Sequence, residues 1–179
     1  MIDQHYLNDT LLQLRKYKQM GEKAMAQISD DDFFRELSDI DNSLAIIVKH
    51  MAGNMRSRWR NFLTSDGEKD DRHRDTEFEI YDSDSKESLM QKWEDCWQLC
   101  FEAIEPLKPE DLEKTIHIRG EAHTVLEAIN RQLTHYAYHV GQIVYLARHF
   151  AGYEWQSLSI PKGKSESYDV SKDGKVRNE

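Results

Sequence analysis

Thr124–Gly152 reads TVLEAINRQLTHYAYHVGQIVYLARHFAG. Thr124 followed three residues later by Glu127 is a capping box, and Gly152 supplies a stop, so this is one helix of about 28 residues spanning about 40 Å at about 1.5 Å per residue. Val125, Ile129, Leu133, Tyr136, Val140, Ile143 and Ala147 recur at helical spacing and form one apolar stripe. A helix this long with one apolar face needs partners of similar length.

The rest of the chain offers three. Leu7, Leu11, Leu14, Met25 and Ile28 mark a first long helix over about residues 3–28. Asn42 or Ser43 can cap a second, running to about Thr64, with Leu44, Ile47, Val48, Met51, Met55, Trp59 and Phe62 as its stripe. Ser85 can cap a third that ends before Pro106. Asp30-Asp31-Asp32 suggests a short helix through Phe33 and Phe34, and Pro109-Glu110-Asp111 another first turn. Thr115–His123 alternates around Gly120 and suggests a small irregular hairpin. The fold class expected is therefore all-α, a four-helix bundle with long connections. One domain is expected over residues 1–160, and residues 161–179, nearly devoid of apolar side chains, as a mobile polar tail.

Composition narrows the partners. The 179 residues carry 33 acids against 24 Lys and Arg, for a net charge of −9, a poor match to nucleic acid or an anionic membrane surface. Mean hydropathy is −0.80, and the longest apolar run, Leu44–Val48, cannot span a bilayer. No signal peptide is apparent at the N-terminus, so a cytoplasmic location is expected. The acids concentrate in segments 30–41 and 66–87, read here as solvated connections. Cys96 and Cys100 are too few for a disulfide framework and read as reduced, buried thiols, with Trp93 and Trp97 beside them as core.

His135 and His139 lie at i, i+4, about 40° apart on the helix, and project together from the edge of the stripe. On the second helix His50, Asn54 and Arg58 form an i, i+4, i+8 row bordering the apolar face. Such a row can line an opening between helices, with Gly53 and Gly141 allowing close approach. A third imidazole beside the pair gives a three-nitrogen site suited to zinc, nickel or another borderline divalent metal, with room for water or substrate. The second helix holds no acid and four bases, of which Arg58 alone is expected to face the site. Arg58 could anchor a carboxylate of a ligand, with Asn54 as a lesser contact; an ion pair with a nearby acid is the plainer reading. HExxH, Glu-x-x-His pairs, a phosphate-binding glycine loop and a GxSxG elbow are all absent.

His50 in IIVKHMAGNMRSRW, followed much later by the H-x3-H of LTHYAYHVGQIVYLAR, resembles the DinB-like, or YfiT-like, superfamily of bacterial proteins regarded as metalloenzymes, and within it a branch labelled a domain of unknown function. The resemblance spans about residues 1–165. It implies an up-down-down-up bundle, homodimers, and zinc or nickel on three histidines, here His50, His135 and His139. Relatives of that type include S-transferases that use low-molecular-weight thiols such as bacillithiol or mycothiol, and a mycothiol-dependent isomerase. Others are described as metal-dependent hydrolases or damage-inducible proteins. The leading expectation is thus metal-assisted transfer of a small thiol to an electrophile. A hydrolase using metal-bound hydroxide and a non-catalytic metal- or ligand-binding stress protein are the alternatives. No carboxylate lies in the histidine rows to act as a base, although a loop could supply one.

Overall fold

The computed structural model describes residues 2–169. Its long helices are α1 (Ile2–Met25), α3 (Leu44–Trp59), α4 (Lys86–Ile104) and α5 (Val125–Ala151), with a short α2 (Asp30–Phe34) between the first two. Strands β1 (Thr115–Ile118) and β2 (Glu121–Thr124) form the one small hairpin before α5. Among the described residues no helix is long and apolar enough to cross a membrane.

Local chemistry sets the helix ends. The side chains of Ser29, Ser43, Ser85 and Thr124 each accept a backbone N–H in the first turn of the following helix. Glu127 returns the bond to the Thr124 amide at 2.7 Å. α3 stops at Trp59, short of the expected Thr64, because Asn61 turns the chain at φ 51° and its carbonyl accepts the amides of Thr64 and Ser65. The hairpin turns on Arg119 and Gly120, both at positive φ, the backbone that a two-residue type I′ loop requires. The Asp66 carboxylate accepts both of their amides at 2.8 Å, tying the hairpin to the connection after α3.

Side-chain contacts give the helix directions. The Tyr6 hydroxyl reaches Leu126 and Asn130, and Gln27 meets Gln156, so α1 and α5 run parallel. Lys18 pairs with Glu94 and Arg15 with Glu105, so α4 runs against α1. Lys49 meets Asp84 just ahead of α4, Cys96 donates to the Ala52 carbonyl, and Trp59 lies near Leu99 and Ala103, so α3 runs with α4. The bundle is up-down-down-up. α3 packs most extensively on α4 and α1 on α5, and the seam between α3 and α5 is more sparsely filled.

The core is aromatic. Trp59, Trp93, Trp97 and Tyr136 are essentially fully buried, together with Met51, Met55 and Phe33. Cys96 and Cys100 are buried free thiols within it. The beginning of the expected tail faces α1 across a cavity bounded by Lys16, Met20 and Tyr168, while residues 170–179 lie outside the described residues.

One polar bridge crosses this core. Trp59 Nε1 donates to the Tyr136 hydroxyl at 2.8 Å, and that hydroxyl donates to Asn54 Oδ1 at 3.3 Å. Tyr136→Phe strands both partners in the interior and should cost about 1–3 kcal/mol. Urea unfolding should show that loss as a lower midpoint with unchanged slope.

Candidate metal centre

The capping box and the stripe fix how α5 rotates, and that rotation aims His135 and His139 into the α3–α5 seam. His50 faces them from α3. Ring centroids lie 5.5 Å from His50 to His135, 4.9 Å from His50 to His139 and 4.6 Å within the pair. One nitrogen from each ring falls within 4.8 Å of the others. Nε2 of His135 and of His139 are 3.0 Å apart, near the roughly 3–3.4 Å expected of two nitrogens each about 2.0–2.1 Å from one ion. This cluster could hold a metal.

The outer nitrogens of two rings are already engaged. His50 Nδ1 donates to Glu77 Oε2 at 2.9 Å. His139 Nδ1 donates to Gln142 Oε1 at 2.8 Å, and Gln142 Nε2 donates to the Tyr138 hydroxyl. Each bond puts the ring proton on Nδ1 and leaves the Nε2 lone pair free, the tautomer a metal ligand needs. His135 Nδ1 is buried without a partner. Three nitrogens, two on rings oriented by hydrogen-bond acceptors and one on a ring with an orphaned atom, form a set that a divalent cation fits.

Burial, followed by the nearby His139 and His50, pushes His135 down to about 3. Burial chiefly lowers His139, to about 4. Both rings are neutral at physiological pH and need lose no proton before binding a cation.

Glu77, like Gln142, is a residue that sequence reasoning missed. It sits in a single 3-10 turn, Arg74–Phe78, within the acidic connection. That connection is not uniformly solvated as expected: Glu77 is 6% exposed, and the side chains of Arg72 and Asp84 are buried as well. Burial opposes its ionisation, but the hydrogen bonds from His50 and Arg72 and the Arg72 charge outweigh that and hold its carboxyl below the usual range. Arg72 grips it with two bonds of 2.8 and 3.0 Å. Arg72 also faces Glu68, which pairs with Arg58 at 2.8 Å and with Arg119 of the hairpin. A ladder of alternating charge thus runs from His50 to the hairpin tip.

The ladder includes the ion pair with a nearby acid that is the plainer reading of Arg58. Arg58 is buried, and its charge is met by Glu68 and by the Gly67 carbonyl rather than left open at the site. Asn54, also buried, is engaged by Tyr136. Gly53 does not serve helix approach: a Cβ there would overlap the Glu77 carboxylate, so the missing side chain makes room for the loop. A Cβ at Gly141 would meet open space. The sequence signal for Glu77 was therefore Gly53, a helix-interior glycine one turn from His50, which announces a close approach without naming what approaches.

His135 and His139 titrate lower in the folded chain than the ordinary 6.5. The unfolded chain takes up protons between about pH 6.5 and 4 that the folded chain refuses, so metal-free protein loses stability as pH falls through that window. Thermal melts in chelator should show Tm falling from pH 7 to pH 5, with a shallower fall in a His135→Gln/His139→Gln variant.

No curated protein matches the chain, and no solved structure does. A family model described as a protein of unknown function (DUF1572) matches residues 1–164. With nearly the whole length matched, the chain belongs to this family of unknown function.

Proposed function

We propose that this protein is a DinB-like, metal-dependent enzyme in which His50, His135 and His139 hold one divalent ion, zinc or nickel, and that it joins a low-molecular-weight thiol to an electrophile. The observation that carries the reading is the convergence of three imidazoles, two of them with their outer nitrogens fixed by Glu77 and Gln142. A cation held there supplies Lewis acidity, lowering the pKa of a thiol that shares its open position. In the overall reaction a C–S bond forms, the leaving group departs with its electron pair, and the thiol proton passes to solvent.

The chain's own residues favour an external thiol. Burial pushes the Cys96 thiol up to about 11 and Cys100 well above its ordinary value, so neither supplies a thiolate at neutral pH. Hydrolysis gains from a base beside the attacking water. The carboxylate that touches the histidines, Glu77, is saturated by His50 and Arg72 and holds a ring in place. We assign Asn54 and Arg58 to the support of the centre: Asn54 braces Tyr136, the neighbour of His135, and Arg58 anchors Glu68 beneath Arg72. The homodimer implied by the resemblance and the cytoplasmic location expected from the sequence belong to this proposal.

His50→Ala should abolish stoichiometric zinc or nickel binding, measured by plasma emission after dialysis. Glu77→Gln should retain stoichiometry but weaken affinity by about 10–100-fold, the usual effect of losing a partner that orients a ligand. Consumption of monochlorobimane by a small thiol should require the metal. Full metal retention in His50→Ala contradicts the site, and ester turnover without thiol contradicts the reaction.

A further inference from the structure

The α3–α5 seam does not close beyond the histidines. His50 and Ile47 lie one turn apart on α3, and His139 and Gln142 one turn apart on α5. At Ile47 and Gln142 the seam widens into a groove of about 470 Å³, within the size range of pockets that hold small organic molecules. Leu146 and Ile47 line its inner side, and Leu37 and Ile40 rise over it from the loop after α2. Tyr138 and Tyr145 stand on its α5 wall, 62% and 69% exposed, and Ile40 is 94% exposed. Large side chains gathered around one groove, rather than scattered singly, mark a ligand-binding surface.

Two features join this groove to the three-histidine centre. Gln142 bounds the groove and accepts the His139 Nδ1–H, so one side chain serves both. Tyr138 bounds the groove and packs on the His139 ring, with centroids 4.8 Å apart. Because Gln142 donates to the Tyr138 oxygen at 3.1 Å, the hydroxyl hydrogen of Tyr138 is left to donate elsewhere. The charged residue lining the groove is an acid, Asp41, which disfavours an anion.

We propose that this groove holds the apolar body of the electrophile: a neutral, predominantly aromatic or aliphatic small molecule with a hydrogen-bond acceptor for Tyr138. The inference rests on the reading of the histidine centre and adds its substrate class. It also separates the two reactants, since an anionic thiol cofactor is disfavoured beside Asp41. Gly141 supplies the test position, because it lines the groove and a Cβ added there meets nothing within 4 Å.

The experiment titrates a neutral phenyl-naphthylamine fluorophore into the full chain, with and without zinc. One saturable site per chain is expected in both states. Gly141→Leu should fill the groove and weaken binding about tenfold, the scale of losing roughly one side chain's apolar contact, with zinc stoichiometry unchanged. Ile40→Asp, at an exposed loop position, should weaken it as well and decides the matter if Gly141→Leu does not fold. Absence of saturable binding, or unchanged affinity in either folded variant, overturns the proposal. Probe binding that disappears as the chain self-associates in sedimentation equilibrium also overturns it, and gives the groove to a second copy. His50→Ala keeps the two readings apart: it should lose zinc and keep the probe. A wild-type chain that binds probe but no zinc overturns the metal reading alone.

Discussion

The contact between His50 Nδ1 and the Glu77 carboxylate is the constraint on which the rest of this site depends. A carboxylate taken from water into a helix seam is expensive unless its oxygens are all satisfied. His50 supplies one bond and Arg72 two, and Arg72 in turn requires Glu68. Glu68 is shared with Arg58 on the same helix as His50, so the ladder returns to α3. Gly53 provides the space that lets the turn approach. The connection after α3 is therefore folded against the bundle because the site needs it there.

The same contact explains how a strongly acidic chain builds a centre fit for cations without scattering charge through its interior. Glu77, the buried acid that touches His50, has an arginine partner, and burial keeps His135 and His139 neutral. The loosely filled α3–α5 seam leaves room for ligands, whereas the tightly packed α3–α4 and α1–α5 pairs keep the scaffold stiff. The tightly packed scaffold and the three-histidine cluster thus fall to different helix pairs.

Much of this was readable from residues alone, for stated reasons. Ser43, Ser85 and Thr124 announce their helices because capping is a local hydrogen bond within four residues. The apolar stripes fix helix rotation, which places His50, His135 and His139 on facing edges. Glu77 was not readable, because an irregular turn has no period and its partners are 27 residues away at His50 and five at Arg72. Composition even pointed the wrong way: segment 66–87 looks like a solvated acidic run, although a few of its members are deeply buried. Asn61 shortened α3 through a left-handed turn, which residue identity permits but does not demand.

The central claim is that three imidazoles, and no sulfur, hold one metal ion in the α3–α5 seam. X-ray absorption on the zinc-loaded chain reads this directly. The account predicts three imidazole nitrogens at about 2.0–2.1 Å, with the outer-shell scattering of the rings and no sulfur near about 2.3 Å. A sulfur scatterer, or fewer than three imidazoles per zinc, would contradict it.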